Sequence, residues 1–130
     1  MPRARLSDEE LRKRRRERDA ERRAREDRDF QARLAKEVLR LFPGCPPERA
    51  DQIARHAGVR GSGRVGRTAA GRALDEEAVA GAVIASVRHR ETDYDLLLVN
   101  GHKRQAARSL VWGEVEEVLE AWRAGKARMT

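Results

Sequence analysis

The chain has one cysteine and few aromatic residues, and each shortage excludes a class of protein. Cys45 alone cannot form an internal disulfide or a cysteine-based zinc site. Aromatic residues make up 4% of the 130 residues, which argues against a single-strand binder built on stacked bases. The sequence has no apolar run long enough to span a membrane, and its N-terminus lacks the apolar core of a secretory signal. We therefore expect a cytoplasmic protein.

Acidic residues are absent from one stretch of the chain. Between Gln52 and Leu74 there is no Asp or Glu, and five glycines are interleaved with arginines. Most other basic runs contain acids. Arginines without neighbouring carboxylates, on a backbone that can lie close to a ligand, are typical of phosphate binding. The segment therefore predicts a nucleic-acid partner, although it does not indicate a reaction.

The positive charge is concentrated near the N-terminus. The net charge is +7 and the sequence pI is about 10.6, which is in the range of nucleic-acid-binding domains. Residues 1–40 carry 15 basic and 10 acidic residues, a net charge of +5, whereas residues 41–130 carry 14 and 12, a net charge of +2. Most of the excess therefore lies outside the segments that are expected to form the core.

The N-terminal segment is predicted to be highly charged and to project from the domain. Ser7 and Glu10 have the spacing of a capping box, which begins a helix. Residues 8–29 offer almost nothing to bury, so they form either a lone charged helix or a partly disordered arm. The predicted organisation is an arm at residues 1–27, a helical domain at residues 28–124 and a tail at residues 125–130.

Apolar residues at helical spacing predict an all-α fold, a compact domain of four or five helices. Pro43-Gly44, Gly58 and Asn100-Gly101 are expected to end helices. Thr92 and Asp95 have the spacing of a second capping box, with Asp in place of Glu or Gln. The predicted helices cover roughly residues 30–42, 46–58, 75–88, 92–99 and 103–123. We expect the third to be the central one, and the only rival strand is a short one at residues 96–99.

The segment from Gly61 to Thr68 matches two nucleotide-binding patterns. It fits the dinucleotide pattern G-x-G-x-x-G, and it fits the P-loop pattern except that Arg67 replaces the lysine. Both patterns require a preceding buried strand, whereas a helix rich in Arg and Ala precedes this segment. We therefore expect no nucleotide cofactor. Two interpretations remain: a loop whose glycine amides and arginines contact backbone phosphates, or a solvated connector between helices.

Nine residues are candidates for contact with nucleic-acid phosphates. They are Arg60, Arg64, Arg67, Arg72, Arg88, His89, Arg90, Lys103 and Arg104. A structural explanation also exists for the three that end the central helix, because the helix dipole favours cations there by about 0.3–1 kcal/mol each.

A catalytic or metal-binding role has little support in the sequence. His89, Asp93, Tyr94 and Asp95 lie close together in the chain, but they lack the converging carboxylates of a two-metal nuclease. No pair of histidines has a ligand spacing of the H-x-x-x-H type. We therefore predict no metal and no catalytic residue.

Several local patterns together resemble a bacterial family known as domain of unknown function 2293. The resemblance covers roughly residues 38–123, and no established activity comes with it. The patterns are Phe42-Pro43-Gly44-Cys45-Pro46-Pro47 with Ile53-Ala54, Gly61-Ser62-Gly63-Arg64-Val65-Gly66-Arg67, Arg88-His89-Arg90 with Thr92-Asp93-Tyr94-Asp95-Leu96-Leu97, and Gly101, Arg104, Ala107-Arg108, Val111 and Trp122.

The leading functional hypothesis is binding to the phosphate backbone of DNA or RNA, with little readout of sequence. A rival hypothesis is a protein-interaction module in which residues 8–29 pair with a partner protein or with a second copy. A nuclease or another nucleic-acid enzyme is the least favoured. The sequence does not distinguish DNA from RNA, single from double strands, or a monomer from a dimer.

Reversing the charge of Arg64 and Arg67 tests the phosphate-binding interpretation. We expect Arg64→Glu with Arg67→Glu to abolish nucleic-acid binding while leaving helix content and melting temperature nearly unchanged. Gel-shift titration, circular dichroism and thermal melting measure the three quantities. A large loss of stability would show instead that the arginines are structural.

Overall fold

The computed structural model describes residues 5–58 and 74–126, and every regular element in these ranges is an α-helix. The helices are α1 (Asp8–Leu41), α2 (Pro47–Ala57), α3 (Glu76–Arg90), α4 (Tyr94–Val99) and α5 (Arg104–Arg123). The predicted all-α fold is confirmed, and residues 96–99 are helical rather than extended. None of the helices in the described ranges is long and apolar enough to cross a membrane.

Helix α1 is one continuous helix that joins the charged segment to the core. Its first turn has the predicted capping box: the Ser7 hydroxyl accepts from the Glu10 amide, and the Glu10 carboxylate accepts from the Ser7 amide, both at 3.1 Å. Among residues 8–29 none is buried, and burial begins at Phe30. The part of the helix before Phe30 is about 33 Å long, at 1.5 Å per residue, and places no side chain in the described core.

Helix α3 is the centre of the core, as its apolar sequence predicts. It packs against each of the other four helices, and Val79, Val83 and Val87 on it are fully or almost fully buried. Asp75 caps its first turn, with its carboxylate accepting from the Glu77 and Ala78 amides. Because the other four helices pack against α3, its C-terminal end is held in place and can position functional side chains.

The connection between α1 and α2 packs tightly against the end of α5. The Gly44 amide donates to the Trp122 carbonyl at 2.7 Å. A Cβ atom on Gly44 would lie 2.6 Å from the backbone nitrogen of Lys126, which is closer than real Cβ contacts. Glycine at this position therefore lets the two backbones approach, and the α1–α2 connection is joined here to the C-terminal end of the described fold.

The predicted capping box at Thr92–Asp95 is wrong. Asp93 is the residue before α4, and its side chain makes no capping hydrogen bond. The Thr92 hydroxyl donates to the carbonyl of Arg88 and accepts from the Tyr94 amide at 3.2 Å, so it closes the end of α3 instead. The Asp95 carboxylate is bonded through Oδ1 to His89 instead.

Substituting alanine at two glycines should change stability in opposite directions. Gly44→Ala should lower the free energy of unfolding by about 1–3 kcal/mol, since the added methyl overlaps backbone atoms. Gly113→Ala, inside α5 with open space at the Cβ position, should raise it by about 0.5–1 kcal/mol. Chemical denaturation measures both changes. Equal effects would contradict the close approach at Gly44.

Removing residues 1–27 should leave a folded domain, because residues 5–27 contribute no buried side chain to the core. Circular dichroism should show the loss of about 20 helical residues and an almost unchanged melting temperature. Light scattering on the full and shortened chains tests the rival role of this segment. A change from dimer to monomer would show that residues 8–29 pair two chains.

Candidate functional site

An ion pair fixes the end of α3 to the rest of the fold. Arg49 on α2 binds both carboxylate oxygens of Glu91, each at 2.9 Å, and its Nη2 atom donates to the Ser86 hydroxyl at 3.1 Å. The Arg49 guanidinium also lies 5.8 Å from the ring centroid of Trp122 on α5. The two charged side chains are only 15% and 22% exposed. One arginine thus ties together α2, the end of α3 and α5.

Cys45 lies near this ion pair but offers no reactive thiol. Its side chain is buried, and burial raises its pKa to about 11. Arg49 lowers the pKa by a smaller amount, and Glu91 raises it slightly. A thiol with this pKa stays protonated at neutral pH, so Cys45 is not a nucleophile.

Tyr94 is the packing centre of the segment from Arg88 to Asp95. Its side chain is 3% exposed. The Arg88 guanidinium lies over its ring, 5.5 Å from the centroid, and the His89 ring meets it edge-on at 5.4 Å. Arg88, His89, Thr92 and Tyr94 therefore form one cluster. In it, the Thr92 hydroxyl holds the backbone, and the Tyr94 ring contacts the side chains of Arg88 and His89.

His89 and Asp95 form an exposed pair at the surface of this cluster. His89 Nδ1 lies 2.6 Å from Asp95 Oδ1. The contact fixes the orientation of the imidazole ring, and about half of each side chain remains exposed. Within residues 5–58 and 74–126, no group of three or more His, Cys, Asp or Glu side chains is arranged to hold a metal ion.

The His89–Asp95 pair lines one part of a cleft of about 570 Å³ between α2 and α3. Its lining residues are Gln52, Ile53, His56, Ala57, Ala82, Ala85, Ser86, His89, Arg90 and Asp95. Small apolar side chains therefore share the cleft with several polar ones. This mixture is common in ligand-binding clefts, and His56 and Ala57 place the end of α2 beside it.

Arg88 does not line the cleft, and it lies close enough to a second basic residue to feel its charge. Its pKa is lowered, first by partial burial and then by the positive charge of Arg108 on α5. Arg104 lies one turn before Arg108 on the same side of α5, and Lys103 immediately precedes the helix. In the described part of the chain, none of these four cations forms an ion pair. We refer to Arg88, Lys103, Arg104 and Arg108 as the basic corner.

The predicted contact residues divide into three groups. Arg60, Arg64, Arg67 and Arg72 lie outside the described residues. Arg88, Lys103 and Arg104 belong to the basic corner, with Arg88 on α3 and the other two at the start of α5. His89 and Arg90 line the cleft instead. Successive residues of a helix point in different directions, which separates Arg88 from its two neighbours.

Two residues of the site were missed from the sequence. Arg108 follows Arg104 by four residues, so its helical spacing offered a usable signal. For Arg49 there was no such signal in the sequence, because its ion-pair partner Glu91 is 42 positions away in the chain. Only the packing of α2 on α3 brings them together.

Comparison with known proteins places the chain in a family. Residues 37–123 match the family described as Uncharacterized conserved protein (DUF2293). The chain belongs to this family. No curated protein and no solved structure matches the chain. The DUF2293 match begins about one and a half turns before the end of α1 and ends with α5, so it includes the Arg49–Glu91 pair, the cleft and the basic corner. It leaves out the charged half of α1.

Breaking the Arg49–Glu91 pair should destabilise the DUF2293 domain. Arg49→Met leaves the Glu91 carboxylate mostly buried without its partner, and the free energy of unfolding should fall by about 2–4 kcal/mol. Arg40→Met is the control. Arg40 bridges Glu37 and Glu76 at the exposed surface, so its loss should lower the free energy of unfolding much less. Urea denaturation of both variants measures the difference. Equal losses would refute the central role of Arg49.

Proposed function

We propose that this DUF2293 domain binds nucleic acid through backbone phosphates, with little readout of base sequence. The proposal rests mainly on the basic corner. Arg88 and Arg108 are close enough for one charge to affect the pKa of the other. Two guanidinium groups that repel each other create a site where an anion relieves the repulsion, and phosphate suits the paired donors of arginine.

The environment of Arg88 favours binding without base readout. Its guanidinium lies over the Tyr94 ring, 5.5 Å from the centroid, and this cation–π contact restricts the side chain. A positioned arginine can donate to two phosphate oxygens, and such contacts orient a protein on nucleic acid without reading its sequence. Arg104 and Lys103 add charge at the same corner. The basic corner is therefore suited to the backbone rather than to base edges.

The acid-free segment between Gln52 and Leu74 supports the same function by its charge. It carries four of the predicted contact residues, Arg60, Arg64, Arg67 and Arg72. Its helical part ends at Gly58, and His56 and Ala57 lie on the cleft together with His89 and Arg90. The positive charge of this segment adds to that of the described cations, and a net charge of +7 suits a polyanionic partner.

Binding should weaken steeply with salt, and the basic corner should contribute to that dependence. We expect the logarithm of affinity to fall by about 0.7–0.9 per logarithm of salt for each phosphate contacted. Arg108→Gln should therefore reduce the slope by about one contact. Arg123→Gln removes the same charge from the other end of α5 and serves as the matched control.

Fluorescence anisotropy with DNA and RNA of random sequence, across a salt series, measures both slopes. Absence of binding at low salt, or tight binding that is independent of salt, would overturn the proposed function. Equal slopes for Arg108→Gln and Arg123→Gln would remove the basic corner from the binding surface.

A further inference from the structure

The charged half of α1 separates its charges by face. Five arginines lie within an arc of about 100° on this helix, at 3.6 residues per turn. They are Arg14, Arg15, Arg18, Arg22 and Arg25. Within residues 8–29, Asp29 is the one acid on that arc, whereas the rest of the circumference carries eight acids and five basic residues. We name the five arginines the arginine stripe.

The arginine stripe is exposed and only weakly neutralised. All five of its residues are exposed. Arg22 approaches Asp19 at 3.5 Å and Glu26 at 3.8 Å, both as exposed pairs. The other four form no ion pair in the part of the chain that the structure describes. Arg14, Arg18 and Arg22 follow one another at four-residue spacing, at which like charges repel on a helix.

The stripe also has a definite orientation relative to the domain. The buried residues Phe30, Leu34 and Val38 mark the side of α1 that faces the core, and the stripe lies on the opposite side. Arg33 and Lys36 continue the same outer face along the folded body and are exposed. From Arg14 to Lys36 this face is about 33 Å long at 1.5 Å per residue.

We propose that the arginine stripe is a docking surface for a nucleic-acid duplex and binds its phosphate backbone. This inference rests on the proposed function and assigns part of the binding to α1. The length of the basic face, about 33 Å, is close to one turn of duplex DNA, about 34–36 Å. Because a duplex carries about one negative charge per 1.7 Å, it offers phosphates along the whole face.

A duplex fits this surface better than a flexible polyanion does. Helix α1 is an unbroken rod, and a duplex is stiff over lengths far greater than this helix. Two stiff partners can align without the ordering cost that a disordered acidic peptide or a single strand would incur. The stripe itself contains no aromatic residue on which single-stranded bases could stack.

Two variants of the full chain with equal charge test the stripe. The stripe variant replaces Arg14, Arg18, Arg22 and Arg25 by Gln. The control variant replaces the off-stripe residues Arg12, Arg16, Arg23 and Arg28 by Gln. Both lose four positive charges from the same helix, and Gln has nearly the helix propensity of Arg. Circular dichroism checks that helix content is equal.

The measurement is anisotropy with 30-base-pair DNA and RNA duplexes and with single-stranded poly(U), across a salt series. For the duplexes at 0.1 M salt, the stripe variant should lose about 100-fold or more in affinity, and its salt slope should fall by about 3. The control variant should lose less than about 10-fold. Poly(U) binding should change equally in the two variants.

The outcomes separate this inference from the proposed function. If the unmodified protein binds duplexes and the two variants lose equal affinity, the stripe is refuted while phosphate binding stands. If the unmodified protein binds neither duplexes nor poly(U) at low salt, both proposals fail. Stripe-dependent binding that is stronger for polyglutamate or for vesicles with anionic headgroups would assign the stripe to a protein or a membrane instead.

Discussion

The ion pair between Arg49 and Glu91 is the interaction on which the geometry of the candidate site depends. It connects the second helix with the end of the third, and the cation–π contact of Arg49 with Trp122 adds the last helix. Since most of both side chains is buried, loss of either would leave an uncompensated charge. At the helix end that this pair holds, His89 and Arg90 line the cleft, whereas Arg88 does not.

The Arg88–Asp95 segment shows how one sequence pattern can serve two purposes. Thr92 and Tyr94 are structural, because one satisfies the end of α3 and the other fills the core. Arg88 and His89 are supported by the same Tyr94 ring but are directed to different surfaces. The buried residues thus determine where the exposed ones can act. A functional interpretation of the pattern as a single patch would miss this division.

The sequence predicted elements whose signals are local. Apolar spacing indicated the central helix, and Ser7 with Glu10 indicated where α1 begins. The second capping box failed because Thr92 and Asp95 each had a competing partner, Arg88 and His89, that spacing alone does not reveal. Arg49 was missed because its partner is distant in the chain. The segregation of charge on α1 was present in the sequence, but it emerges only once the segment is known to be an unbroken helix.

Because α1 is one continuous helix, the number of residues between its charged part and the core sets the direction in which the arginine stripe points. Each residue turns a helix by about 100°, so one residue gained or lost between Arg25 and Phe30 would rotate every side chain before it by that angle relative to the body. Three or four residues would nearly restore the direction and change mainly the reach. Length variation in this part of the helix is therefore not neutral in the way it is in a loop. We expect insertions and deletions here to preserve the direction of the outer face only in steps of about one turn.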